Sequence, residues 1–468
     1  MNHPADPWPA PRPDGPVHGT VRVPGSKSLT NRYLVLAALA EGPSRLRGVL
    51  DSRDSRLMIQ ALTALGASIS RVAPGTVEVI PVPDAGPRTP ADGVTIDCGL
   101  AGTVMRFVPP VAALASGAVH FTGDEAALAR PMGPVLQALA ALGVRVDGPG
   151  ADAGTLPFTV HGGGAAGAAG EGAEGAQAGV DGGRIEVDAS GSSQFISALL
   201  LAAPRFRRGL HLVHTGASVP SPEHIGMTVA VLRRCGVDVD DSVPGRWRVS
   251  PGPIRALDTA VEPDLSNAGP FLAAAVATGG TVSVPDWPAE TTQIGDRWRS
   301  ILPAFGATVE FSPAADDGGA TGTLTVTGSR GQDGRPRITA PGDLDGTAEL
   351  APTAAALCLL ADGPGRLTGI GHLRGHETDR LAALATESAR LGGRVEEGPD
   401  VLAFAGGREG LHGAILQTYE DHRMATFAAV LGLAVPDVLV RDIATTAKTM
   451  PDFPRMWTEL VDGSGGTA

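Results

Sequence analysis

Six stretches of the chain are rich in Ala and Leu over ten to twelve positions: Leu29–Ala40, Val104–Ala115, Gln194–Ala203, Ala268–Thr278, Leu350–Ala361 and Met424–Ala434. Runs of that length between Gly or Pro breaks predict helices rather than strands, and the scarcity of polar positions predicts that they are buried. A short β-type segment follows each: Arg45–Val49, Ala118–Thr122, Leu210–His214, Thr281–Val284, Arg366–Ile370 and Asp437–Val440. The pattern then continues in five cases with a second helix that ends in a glycine, at Gly66, Gly143, Gly236, Gly306 and Gly392. Glycine suits the left-handed residue that closes a helix. Short aliphatic strands come next: Ser68–Val72, Arg145–Val146, Val237–Val239, Thr308–Phe311 and Arg394–Val395.

The chain therefore repeats one α/β (α+β) unit six times. The break after each first helix (Gly42, Gly117, Gly209, Gly279, Gly363, Val435) recurs at intervals of 75, 92, 70, 84 and 72 residues. The longest interval contains the Gly/Ala/Glu-rich tract 162–183, which has too little apolar surface to offset its ordering and reads as a disordered loop. One unit is small for an independent domain, so three units per globule is the economical grouping. The expected domains are 25–258 and 259–460, with flexible tails at 1–15 and 461–468.

The chain has 37 Lys plus Arg against 50 Asp plus Glu, a net charge of −13, which disfavours a nucleic-acid binder. No apolar run approaches the roughly 18 residues of a membrane span, and the Pro-rich start has no signal pattern. Cys98, Cys235 and Cys358 match no disulfide framework or zinc spacing, so a cytoplasmic, reducing setting is expected and no metal is. Only Lys27 and Lys448 are lysines among the 37 basic residues. In so Arg-rich a chain, a retained lysine points to a task that a planar, permanently charged fork cannot perform.

Chemistry collects at the starts of the first helices. The runs are PGSKSLTNR (24–32), CGLAGTVMR (98–106), SGSSQF (190–195), DLSNAG (264–269), GTAEL (346–350) and YEDHR (419–423). Small hydroxylated residues there can simply cap the helix, but the same exposed N–H groups also favour anions. Capping does not require Lys27 with Arg32 in one turn, nor Arg106 or Arg423 inside apolar helices. Arg130, Arg380 and Lys448 lie in further polar runs, and their convergence would suit a ligand with several negative charges. No P-loop and no spaced GxGxxG is present. Arg53 and Arg56 read as a solvated helix face, and His422 as a core histidine or a site residue. Asp54 and Asp296 read as caps or site-lining groups.

With PGSKSLTNR, LAGTVMR, SSQF, HETDRL, DHRM and AKTMPDF in this order, the chain from about His18 to Trp457 closely resembles the 5-enolpyruvylshikimate-3-phosphate (EPSP) synthase family. The resemblance implies two domains, each of three βαβαββ-type repeats, hinged by two crossings, with a strand within 16–24 joining the second domain. It also implies transfer of the enolpyruvyl group of phosphoenolpyruvate to the 5-hydroxyl of shikimate 3-phosphate, with release of phosphate and no cofactor, on the route to chorismate and the aromatic amino acids. That chemistry needs a proton for the methylene carbon, a base for the hydroxyl, and cations for both anions. By the family's motifs, Ser28, Arg32, Ser192, Ser193, Gln194, Ser221 and His376 are shikimate 3-phosphate ligands. Gly102, Arg130, Gln194, Arg380, Arg423 and Lys448 are phosphoenolpyruvate ligands. Lys27 touches both substrates, Glu377 is its acid/base partner, and Glu349 is both the base for the 5-hydroxyl and a phosphoshikimate ligand.

This sequence departs from many members in having Glu349 for Asp, Leu100 for Asn, His376 for Lys, His224 for Tyr and Phe107 for Pro. The rival readings are the sister transferase acting on UDP-N-acetylglucosamine, a non-catalytic anion-binding protein on the same fold, and an RNA-end cyclase. The sister transferase would need a Cys in the loop beside Arg130, a dead fold would have lost Lys27, Glu349 or Glu377, and a cyclase would need nucleotide-handling features. A monomer that binds small molecules, with neither nucleic acid nor membrane as partner, closing on shikimate 3-phosphate and sensitive to glyphosate, is the expectation.

Overall fold

Each apolar stretch forms a helix in the computed structural model of the protein, which describes residues 7–83, 86, 87, 89, 90, 92–163, 179–315, 318–375 and 377–463. The six are Lys27–Ala38, Gly102–Ala112, Gln194–Ala202, Leu265–Thr278, Ala351–Leu360 and His422–Gly432. Every residue of Leu265–Thr278 and of Ala351–Leu360 is buried, as a helix without a polar face requires. Small residues let neighbours approach the backbone. At Gly269 a Cβ would come within 2.3 Å of the Trp298 ring, which is fully buried against that helix. Truncating such a ring to alanine costs about 3–5 kcal/mol.

The second helices are Arg53–Ala64, Gly133–Ala141, Glu223–Arg234, Trp298–Ala304 and Arg380–Arg390. Each is followed by its expected glycine, with φ between +79° and +102°, where a side chain would be strained.

The strands follow one plan. In the second repeat Val94–Asp97 runs parallel to Ala118–Thr122, which pairs antiparallel with Phe158–His161, itself antiparallel to Arg145–Asp147. The third and fifth repeats have the same order. The first and fourth have no opening strand of their own. Asp258–Ala260 fills that place beside Ser44–Arg47, and His18–Thr20 fills it beside Thr281–Pro288, both in parallel. In the sixth, Ile415–Leu416 lies parallel to Leu439–Val440, and Trp8–Pro9 adds antiparallel to the latter. The repeat is thus β-α-β-α-β-β.

The chain divides into a unit of residues 25–261 and a unit of residues 1–24 with 262–468, each with its own hydrophobic core. Three expectations about boundaries change. The division falls after Val261 rather than at 258, because Asp258–Ala260 hydrogen-bonds to the first unit's own sheet. The tail expected over 1–15 is tied down at Trp8–Pro9, and the Ala10 N–H donates to Val438 O at 3.0 Å. At the other end Val461 is the buried last residue of the helix Phe453–Val461. Of the tract 162–183, residues 164–178 lie outside the described residues, while Gly183 opens the strand Gly183–Val187.

Among the described residues no helix is long and apolar enough to cross a membrane. All three cysteines are buried, and burial pushes the Cys98 and Cys235 thiols up to about 12, which makes them unreactive core groups.

Candidate active site

In the 25–261 unit, the helix Lys27–Ala38 is capped by Ser26, so its free N–H groups are partly used by the chain itself. Its first residue, Lys27, places Nζ 3.5 Å from Asp54 Oδ2, and both side chains are mostly buried. Asp54 comes from the first turn of the helix Arg53–Ala64, so it is a charge partner for Lys27 rather than a cap.

One turn on, Arg32 is only 1% exposed. Its guanidinium donates to Thr228 Oγ1 at 2.8 Å, Ser28 O at 2.9 Å, His224 O at 2.9 Å and Ser197 Oγ at 3.5 Å, and it lies 5.3 Å from the Phe107 ring centre. None of these partners is a carboxylate. Burial without a counter-charge pushes the guanidinium down, to about 9. Arg32 is therefore a cation held in place by neutral oxygens beneath Ser28.

The second helix start in this unit is built differently. The helix Gly102–Ala112 begins after Ala101, with no side chain capping it. Around that start stand Arg106, whose Nη1 donates to Gln194 Oε1 at 2.8 Å, and Arg130, whose Nη1 donates to Leu100 O at 2.9 Å. A Cβ on Gly102 would meet Arg106 Nη1 at 2.9 Å, Gln194 Oε1 at 3.5 Å and Arg130 Nη1 at 4.0 Å. The glycine keeps the mouth of this uncapped, doubly cationic helix start open, as an anion site requires. Gln194 opens the next helix, with its N–H donating to Ser192 Oγ at 3.2 Å and Ser193 buried behind it. Ser221 sits two residues before the helix Glu223–Arg234 at φ +47°, a left-handed conformation unusual for serine.

In the other unit the cations are paired with carboxylates. Arg380 is 1% exposed and donates to Asp421 at 2.7 and 3.3 Å and to Glu377 at 2.8 Å. Burial acts to lower the guanidinium, but the Asp421 and Glu377 charges outweigh it and hold it above its usual value. Lys448 reaches the other oxygen of Glu377. Glu349, 9% exposed, accepts from Ser266 Oγ at 3.0 Å and from Arg423 Nη2 at 2.9 Å. Asp421 also caps the helix His422–Gly432 by accepting from the Arg423 N–H at 2.8 Å. Removing one member of so buried a pair costs about 3–5 kcal/mol.

The structure thus gathers Lys27, Ser28 and Arg32, and separately Gly102, Arg130 and Gln194, within one unit. It gathers Glu349 with Arg423, and Glu377 with Arg380 and Lys448, within the other. His376 lies outside the described residues. Glu377 and Arg380 do form the i,i+3 pair that their spacing allows, but on a buried guanidinium rather than on the surface. Asp379 caps its helix and pairs with Arg374, Asp296 holds the Trp287 indole N–H at 2.8 Å, and His422 is buried. Two groups escaped the sequence-based site. Arg106 was visible as a charge in an apolar helix, and Asp421 was hidden because its motif reads equally well as a cap. Among the described residues no group of three or more His, Cys, Asp or Glu is arranged to hold a metal.

The sequence model of the EPSP synthase (3-phosphoshikimate 1-carboxyvinyltransferase) family matches residues 11–457. The 3-phosphoshikimate 1-carboxyvinyltransferase of Kocuria rhizophila is 56% identical over 475 residues, covering 98% of each chain. The chain belongs to the EPSP synthase family. Two solved EPSP synthase structures from Acinetobacter baumannii share the fold at 23% identity, with TM-scores of 0.78 and 0.76 over 97% of this chain and 97% and 98% of theirs. For an EPSP synthase, the departures at Leu100 and Glu349 acquire a structural meaning. Leu100 offers only its carbonyl, which Arg130 uses, and Glu349 is long enough to reach both Ser266 and Arg423.

Proposed function

We propose that the two sets of side chains described above carry the family's reaction, transfer of the enolpyruvyl group from phosphoenolpyruvate to the 5-hydroxyl of shikimate 3-phosphate with loss of phosphate. The observation that supports the reading best is the uncapped start of the helix Gly102–Ala112 with Arg106 and Arg130 beside it. It offers backbone N–H groups and two guanidinium forks to a compact anion, the forks steadied by Gln194 Oε1 and Leu100 O.

In this reading Lys27, Ser28, Arg32, Ser192, Ser193, Gln194, Ser221 and His376 hold shikimate 3-phosphate. Gly102, Arg130, Gln194, Arg380, Arg423 and Lys448 hold phosphoenolpyruvate, Lys27 touches both substrates, and Glu349 also contacts shikimate 3-phosphate. Arg423 and Ser266 both donate to Glu349 Oε1 and so fix the carboxylate that accepts the hydroxyl proton in this reading. Glu377 sits between Arg380 and Lys448, bonded to both, and by the family's motifs is the acid/base partner of Lys27 for the methylene proton. The cytoplasm, and a monomer, suit this chemistry.

The test is phosphate release by the purified protein with both substrates, beside Lys27→Met and Glu349→Gln. We expect release only when both substrates are present, falling at least about 100-fold in each variant, the scale of a lost general acid or base. Folded protein that releases phosphate with a UDP-amino sugar instead, or variants as active as the parent, would overturn the assignment.

A further inference from the structure

Glu387 is a fully buried carboxylate that the reaction does not use. It accepts from Arg390 Nε at 2.9 Å and Nη2 at 3.4 Å, from the Gln417 N–H at 3.0 Å, and from the Tyr419 hydroxyl at 2.6 Å. Two of these donors belong to the segment leading into Asp421. In that segment Tyr419 and Glu420 are successive non-glycine residues at φ +54° and +56°. Backbone in this region persists only where its surroundings over-determine it, and such strain gathers at functional sites.

The helix Arg380–Arg390 provides those surroundings at both ends. Arg380 and Glu387 are seven residues apart, which returns them to one helix face about 10 Å apart along the axis. Glu387 grips residues 417 and 419, and Arg380 grips Asp421. Between these two anchors the chain has one way to run, through the paired left-handed residues. The Asp421 N–H closes the turn on Thr418 O at 2.9 Å. Asp421 then fixes the Arg423 N–H and so the start of the helix that carries Arg423.

We infer that Glu387 and Tyr419 form a positioning clamp that sets the register of the 417–421 turn, and through Asp421 the placement of both Arg380 and Arg423. Both act through Asp421, and neither is among the residues placed on a substrate above. The burial and hydrogen bond that push the Tyr419 phenol up to about 12 keep the hydroxyl protonated, and so donating, across the working pH range. The inference rests on the reading of Arg380 and Arg423 as phosphoenolpyruvate ligands.

Tyr419→Phe is the informative variant, because it removes one O–H from a residue that is 38% exposed and leaves the ring in place. With the full chain we expect KM for phosphoenolpyruvate to rise about tenfold with kcat within about twofold, and KM for shikimate 3-phosphate to stay unchanged. Hydrogen exchange of the Arg423 amide should accelerate in the same variant, since its acceptor Asp421 is loosened. Glu387→Gln should move both readouts in the same direction. Exchange at Arg423 that matches the parent overturns the clamp, and so does a lowered thermal midpoint with both KM values unchanged. A folded parent that releases no phosphate overturns the functional reading alone, and the exchange measurement then decides the clamp.

Discussion

Arg32 couples stability and recognition in one side chain. Four acceptors converge on its fork, from Ser28, Ser197, His224 and Thr228, and among the described residues no carboxylate pairs with it. Lysine keeps the charge but cannot serve acceptors in that spread, and each buried oxygen left unpaired costs about 1–3 kcal/mol. Arg32→Lys should therefore lower the thermal midpoint by several degrees and reduce phosphate release by at least about 100-fold, checked by calorimetry and by the same assay. The importance of Arg32 was legible in PGSKSLTNR, because a charge in an apolar helix is conspicuous. Its partners were not legible, since Ser197 and Thr228 lie in runs that read as ordinary apolar helices. Glu387 was equally hidden, because a Glu three residues before an Arg reads as a surface pair until the chain from 417 to 419 is laid across it.

Elements that close over a few dozen residues could be read from the pattern directly, whereas the strand within 16–24, whose partner lies more than 250 residues on, was expected only through the family resemblance. The first helices and their following strands lie close to their expected places because burial alone dictates them. Helix starts were ambiguous in sequence and are distinct in structure. Ser26, Asp264, Asp379 and Asp421 do cap, whereas the start at Gly102 has no capping side chain. The segment Glu125–Ala127, leading to Arg130, also has an anchor that the sequence concealed. Arg53, expected on a solvated face, donates both η nitrogens to Asp124 at 2.6 and 2.9 Å, while the Asp124 N–H reaches Gly99 O at 3.2 Å. That fork holds the Asp124 carboxyl below its usual value. With the folded value depressed, the stability it adds is present above pH 4 or so and fades as the pH falls through the folded value. Asp124→Asn should abolish that acid-side loss, while at pH 7 it costs only about 0.2–1 kcal/mol, as for other exposed pairs. Urea unfolding of parent and variant between pH 3 and 7 checks both, and parallel curves would refute the assignment.

At the scale of the whole molecule, the borrowed strands decide what can be cut. Residues 25–261 contain every strand of three complete repeats, including Asp258–Ala260. A fragment 25–261 should unfold cooperatively in urea, and a fragment ending at 257 should unfold at lower denaturant because the first sheet loses its edge strand. Equal midpoints would show that the strand adds nothing. The other unit has no such continuous fragment, since Trp8–Pro9 and His18–Thr20 belong to it.

That arrangement has a consequence for a chain made from its amino end. His18–Thr20 leaves the ribosome more than 250 residues before its partner Thr281–Pro288, and Trp8–Pro9 longer still before its partner Leu439–Val440. At about 5–20 residues per second the head of the chain waits on the order of tens of seconds, with its backbone donors and acceptors unmatched, while 25–261 folds behind it. Strands made before 25–261 are thus placed after it, and through that interval they are open to proteases and to strand pairing with other nascent chains.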